Sequence, residues 1–176
     1  IENNHWESGI SLIDQNIEYY SEYQNVRFLS HLYCLKGYAL ETGNQLRSAI
    51  QAYQTSKDIC VEHGLKEQEL YTSGNLSSAY LDLQEYAKAL TEIEPYLEPM
   101  QDIDTYNKSI MLTRAAIIYY RNNQITKGLQ LLHQVEALEH SAIQIVKDIA
   151  HSWMSRLYTE QGDIAQAKHH RSSYSL

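Results

Sequence analysis

The sequence predicts an all-α protein, a solenoid built from antiparallel helix pairs, and three observations carry that expectation. Small residues recur at Gly9, Ala49, Ala89, Gly128 and Ala167, at spacings of 40, 40, 39 and 39 residues. Fixed neighbours accompany them. Three positions before each anchor stand Trp6, Leu46, Tyr86, Ile125 and Ile164, all large and apolar or aromatic. Twelve before the last four stand Gly37, Ser77, Ala116 and Ser155, and nine before them stand Leu40, Tyr80, Tyr119 and Tyr158. The third observation is compositional: 176 residues contain only seven glycines and two prolines, as long helices with few tight turns require. Four columns agreeing at a near-constant period mark a repeat protein.

Each repeat reads as a helix A, a short polar turn and a helix B. The chain opens on a B helix near 3–22 that has no A partner. The first complete pair is A near 27–43 and B near 46–63, joined at Thr42-Gly43-Asn44. The second pairs 67–84 with 86–99 around Leu83-Gln84-Glu85. The third pairs 106–122 with 125–139 around Asn122-Asn123-Gln124, and the fourth 143–161 with 164–174 around Gln161-Gly162-Asp163. A small residue on each helix lets the two backbones approach, while the large neighbours fill the space beside the contact. One hairpin cannot bury its apolar face alone, so neighbours must stack. The expectation is one repeat domain over 1–176, about four and a half repeats. The unpaired B helix and the start at Ile1 suggest a piece of a longer chain.

Composition bounds the function. Hydrophobic residues make up 43%, enough for a core, and the length suits one ordinary domain. With 22 acidic and 14 basic residues the net charge is −8, which argues against a nucleic-acid-binding face on this segment. Fifteen tyrosines against one phenylalanine point to half-buried positions whose hydroxyls reach water or a polar partner. No run of 18 apolar residues and no basic-then-apolar leader occurs, so no membrane contact is expected. Cys34 and Cys60 form no CxxC and read as reduced, buried thiols of a cytoplasmic protein.

The motifs of catalysis and cofactor binding are missing from the sequence: there is no GxSxG, Walker loop or GxGxxG. The pairs Glu67-x-Glu69 and Glu92-x-Glu94 read as solvated faces. His169 and His170 are adjacent, so on a helix they point about 100° apart. His133 and His140 are seven apart with no third ligand nearby, and no HExxH or EF-hand loop exists. The expectation is a non-enzymatic protein with no metal and no cofactor.

At the residue level the chain resembles the tetratricopeptide repeat (TPR) family. Leu76-Ser77-x-x-Tyr80 followed by Ala89-x-x-x-Ile93 is the best match, and Gly37 with Ala49-x-x-x-Tyr53 is nearly as good. The resemblance covers almost the whole chain. It departs in its period, 39–40 against the family's 34, and in a closing proline present only around Pro95 and Pro99. Lys168 and Arg171 stand in usually apolar columns, which suggests that the fourth repeat ends the stack or docks onto a further element. HEAT and armadillo repeats run to about 40–47 residues but lack the small-x-x-Tyr and Ala columns, and they rank second.

The resemblance implies a right-handed superhelix whose A helices line the concave surface. Helical spacing then selects one row of each A helix. The rows are His31, Leu35, Tyr38 and Thr42; Tyr71, Asn75, Ser78 and Asp82; Ile110, Arg114, Ile117 and Arg121; and Ile149, Trp153, Arg156 and Glu160. Asn75 stands where peptide-binding TPR domains commonly carry an asparagine, whose amide can donate to and accept from an extended backbone. Arginine offers a planar fork for a carboxylate, and aromatic rings give rigid walls. The candidate peptide-binding residues are Asn75, Arg114, Tyr38, Tyr71, Ser78, Ile117, Arg121, Trp153 and Arg156. The alternative for the arginines is pairing with acids such as Asp82 and Glu160, and for Trp153 it is the core or contact with a further element.

The stretched, tyrosine-rich repeats also resemble those of the peptide-sensing regulators of Gram-positive bacteria, the Rap, PlcR, NprR and Rgg type. That resemblance implies a short signalling peptide in the concave groove and homodimerisation through the repeats. It also implies that DNA is reached only through an amino-terminal helix-turn-helix domain outside this segment. The competing class is a static scaffold, such as a chaperone adaptor or assembly factor holding a partner's segment.

Overall fold

The structure, a computed structural model, describes residues 5–23, 25–97, 104–139 and 143–173. These residues form α-helices and no strand. In order they are α1 (His5–Glu22), α2 (Val26–Thr42), α3 (Leu46–Glu62), α4 (Lys66–Asp82), α5 (Tyr86–Ile93), α6 (Thr105–Arg121), α7 (Ile125–Glu136), α8 (Gln144–Gln161) and α9 (Ile164–Ser173). Most ends lie within two residues of the expected ones. Two B helices are shorter. α7 stops at Glu136, and α5 gives way after Ile93 to a 3-10 turn, Glu94–Tyr96, that contains Pro95. A proline ring has no N–H to give and clashes with the carbonyl one turn back, so the α-helix ends before it. Pro99 lies outside the described residues.

The chain divides into two compact units, residues 1–92 and 93–176. In the first, α1, α2, α3 and α4 pack each on the next, and α2 also touches α4. Its core holds Leu40, Ala49, Ala52, Tyr53, Leu76 and Ala79. In the second, α6 to α9 pack in sequence and α6 also meets α8, burying Leu112, Ile118, Leu132, Val135, Met154 and Leu157. No helix is long and apolar enough to cross a membrane among the described residues.

The turns between A and B helices share one geometry. Asn44, Gln84, Asn123 and Gly162 each take left-handed φ, at 57°, 61°, 59° and 81°. The next residue's N–H then donates back to the carbonyl five positions earlier: Gln45 to Leu40, Glu85 to Tyr80, Gln124 to Tyr119 and Asp163 to Tyr158, at 2.8–2.9 Å. This is the left-handed close of a helix C-terminus, which satisfies a carbonyl that would otherwise be orphaned. Asparagine and glycine tolerate that conformation; glutamine at 84 does so under strain.

The expected meeting of two small residues holds in the second unit. A methyl group added at Gly128 would lie 2.9 Å from the Ala116 carbonyl oxygen, so α6 and α7 touch there backbone to backbone. In the last pair the Ser155 hydroxyl donates to the Ala167 carbonyl oxygen at 2.9 Å. Two joints differ. Gly37 makes room for a ring rather than a small residue, since a methyl there would lie 2.5 Å from the Tyr53 ring. Gly9 closes nothing: a methyl added there meets no atom within 4 Å, because α1 has no A helix before it among the described residues. Trp6 instead sets its ring against Gly43, where an added methyl would meet it at 2.7 Å.

Among the described residues, several tyrosine hydroxyls find polar side-chain partners. Tyr53 donates to Glu41 at 2.7 Å and Tyr119 to Glu94 at 2.6 Å. Burial, with Glu94 adding to it, raises the Tyr119 phenol well above its ordinary pKa. Glu92 and Glu94 are therefore not free solvated carboxylates. Lys57 donates to Glu92 at 2.6 Å, both side chains being mostly buried.

Candidate functional site

Between α2 and α4 the first unit holds a cavity of about 490 Å³. Helical spacing brings three turns of each helix to its walls. α2 contributes Arg27, Ser30, His31, Cys34, Leu35 and Tyr38, and α4 contributes Glu67, Gln68, Tyr71, Thr72 and Asn75. The two helices can face each other across a gap because α3 packs behind both and sends Ser56 to the cavity's floor.

Three predicted residues come together here, Tyr38, Tyr71 and Asn75, with His31 and Leu35 of the same rows. Tyr38 is 65% exposed, Tyr71 45% and Leu35 41%, which leaves an apolar wall open to water. The floor is polar and buried. The Ser56 hydroxyl donates to the Ser30 carbonyl oxygen at 2.7 Å and meets the Thr72 hydroxyl at 3.1 Å. Gln68 donates its amide to the Arg27 carbonyl oxygen at 3.1 Å, while its own Oε1 is buried with no hydrogen-bond partner. A buried acceptor left in that state costs about 1–3 kcal/mol. Ser78, also predicted, is half-buried and does not line the cavity.

Cys34 is the cavity residue that the sequence reading placed in the core. Asn75 donates Nδ2 to its sulfur at 3.5 Å. Burial raises the thiol's pKa, outweighing the lowering effect of hydrogen bonds from Asn75 and Thr72, so Cys34 stays protonated at neutral pH. Glu67, read as a solvated carboxylate, stands at the cavity with Arg27. An i, i+4 and i+7 row cannot reveal such neighbours, because they flank the row and come into view only when a second helix is set opposite.

The second unit gathers the remaining candidates in another way. Trp153 lies 5.7 Å from the Tyr120 ring, and the Arg156 guanidinium sits 5.4 Å from both rings. Tyr120 donates to Glu160 at 2.6 Å, and Arg156 pairs with the same carboxylate at 3.4 Å. Arg121 also lies over the Tyr120 ring, at 5.6 Å. Arg156 is thus paired with an acid of its own helix. Tyr120, one position before Arg121, was missed because it lies beside the selected row. Arg114 and Ile117 are half-buried on α6.

No protein-family model matches the chain, and no curated protein matches it. Solved structures do. BtubC (BKLC) from P. vanneervenii superposes with a TM-score of 0.85 at 16% identity, over 94% of this chain and 70% of that one. A candidate kinesin light chain from Podosopora anserina, of nearly identical TPR-like repeats, gives 0.80 at 14% identity, over 97% and 86%. A substituted variant of that protein gives 0.82 at 14%, over 98% and 86%. The fold is thus that of an all-α, TPR-like repeat solenoid.

Proposed function

We propose that this chain is a non-enzymatic peptide-binding repeat domain, and that its ligand is an extended peptide segment held between α2 and α4. One observation carries the reading: an open cavity with aromatic walls, Tyr38 and Tyr71, over a polar floor that leaves the Gln68 acceptor without a partner. Pockets of this size and make-up, mostly apolar with a few convergent polar groups, suit a ligand of a few residues. Asn75 spends one donor on the Cys34 sulfur, a weak acceptor, and a primary amide has further capacity for a peptide group. The TPR-like fold supports the broader role of holding a partner protein or peptide.

In its finer form, the ligand is a short signalling peptide and the chain is the cytoplasmic sensor and homodimerisation region of a bacterial transcriptional regulator. The resemblance in repeat length and tyrosine content supports that form, and the −8 charge fits a segment that leaves DNA to another domain. A second reading, a static scaffold for a partner's segment, is favoured by the likeness to the kinesin light chain candidate's repeats.

Selection from a random short-peptide library on the immobilised chain tests the common core of both. Enriched peptides should lose their binding to Tyr71→Ala. Enrichment that survives this change would remove the cavity as the site. Sedimentation with and without a selected peptide separates the two forms, since a sensor changes its dimensions or assembly and a scaffold keeps them.

A further inference from the structure

The second unit contains a cluster that no sequence spacing announces, because its members come from three helices. Glu136 closes α7, His151 lies on the second turn of α8, and His170 is on α9. His151 Nδ1 and His170 Nδ1 are 3.1 Å apart. Glu136 Oε1 stands 3.8 Å from the first and 3.9 Å from the second. We propose that Glu136, His151 and His170 form a binding site for one divalent transition cation of the zinc type.

The triangle's dimensions are the main argument. A point equidistant from its three corners lies about 2.1 Å from each, the bond length of zinc to imidazole nitrogen or carboxylate oxygen. The carboxylate is too far from either imidazole for a hydrogen bond, yet it is correctly placed to share an ion with both. Drawing Glu136 inwards by a few tenths of an ångström would lift that point out of the plane and leave a fourth, tetrahedral position for water. The donor set of two imidazoles and a carboxylate suits zinc, and its borderline character also admits cobalt and nickel.

One of the three ligands, the Glu136 carboxylate, is oriented by outer partners as metal sites require. His133 Nδ1 meets the other carboxylate oxygen, Glu136 Oε2, at 3.0 Å, and His133 Nε2 meets the Tyr158 hydroxyl at 2.8 Å. With Tyr158 donating to Nε2 and Nδ1–H donating to Glu136, His133 holds the carboxylate so that Oε1 faces the imidazoles. Such outer partners of a ligand fix its orientation and basicity. Tyr158 also stacks on His170, with the planes 3° apart and the centroids 5.5 Å apart. His170 is 2% exposed, its Nε2 is buried without a hydrogen-bond partner, and the His151 side chain is 12% exposed. The two Nδ1 atoms share one hydrogen bond, and an ion on the same two atoms would take its place.

An ion at this point would tie α9 to α7 and α8. α9 needs such a tie: Ala167 and His170 are its buried residues. Because the unfolded chain cannot assemble the three donors, binding would add to the stability of the unit.

The test is titration of the purified chain with Co2+ and with Zn2+, followed by visible absorption, calorimetry and thermal unfolding. The expected result is one ion per chain, the intense absorption of tetrahedral cobalt, and a higher Tm with Zn2+. His151→Gln should weaken binding by more than about 100-fold, beyond the effect of losing an outer partner, and His133→Gln by about 10- to 100-fold. Glu136→Gln, nearly isosteric, provides the same comparison should His151→Gln fail to fold. His169→Ala, with its imidazole outside the triangle, should bind as the parent does. Absence of saturable uptake would overturn the proposal. So would uptake that survives both His151→Gln and Glu136→Gln, or that disappears in Cys34→Ser or Cys60→Ser instead.

Discussion

Asn75 donates its side-chain amide to the Cys34 sulfur across 3.5 Å, linking the middle of α4 to the middle of α2 at the cavity. The bond is weak and its two partners are small, so the pair leaves the space above it open to a ligand. The chemistry of both residues can be read independently.

For the amide, the expectation concerns affinity. Asn75→Ala should weaken a library-selected peptide by about 1–3 kcal/mol, the cost of removing a partner from a buried peptide group. Isothermal calorimetry is the measurement, with circular dichroism confirming an unchanged helix content. Equal affinity in the variant would detach Asn75 from the ligand.

For the thiol, the expectation concerns pH. Burial raises the Cys34 pKa, so its thiolate fraction at a given pH is smaller than that of a free cysteine. Alkylation by iodoacetamide should be slow at pH 7 and rise with pH to beyond the range where an ordinary thiol levels off. A bound peptide should slow it further. Mass-spectrometric mapping separates Cys34 from the fully buried Cys60. Fast labelling of Cys34 at pH 7 would contradict the buried, neutral thiol.

The glycines give opposite predictions. Gly37→Ala drives a methyl into the Tyr53 ring and should destabilise by about 1–3 kcal/mol. Gly9→Ala meets nothing and replaces a poor helix former, so it should stabilise by about 0.5–1 kcal/mol. Urea unfolding of the two variants against the parent decides both.

At the turns, Gln84→Gly should raise stability by roughly 0.5–1 kcal/mol. That is what remains of a left-handed penalty of about 1–2 kcal/mol after glycine's extra chain entropy is subtracted. Gly162→Ala should lose about 1 kcal/mol for the reverse reason. Chemical denaturation of each variant is the measurement, and a loss on Gln84→Gly would show that its side chain contributes more than its backbone costs.

The repeat columns made the helices legible, since period and small-residue spacing are properties of single segments. Pro95 shortened α5, a local effect that the column pattern outvoted. The rows read on α2 and α4 bring Tyr38, Tyr71 and Asn75 to one cavity. The contents of the gap between helices were not legible. Cys34, Gln68 and Ser56 flank their rows or come from a third helix, and Tyr120 lies one step off its row. The Glu136–His151–His170 triangle shows the limit most clearly. Its members stand 15 and 19 residues apart along the chain, far from any ligand motif, and only the packing of α7, α8 and α9 brings them together.

The four left-handed turns have an evolutionary consequence. Each closes through its own backbone, one N–H reaching a carbonyl five positions back, whatever side chains occupy it. A segment cut out between Asn44 and Gln84, or copied between Gln84 and Asn123, would rejoin at an identical bend. Such a chain can grow or shrink by whole modules through unequal recombination without inventing a new connection, provided that the exchanged helices still fit the ones they meet.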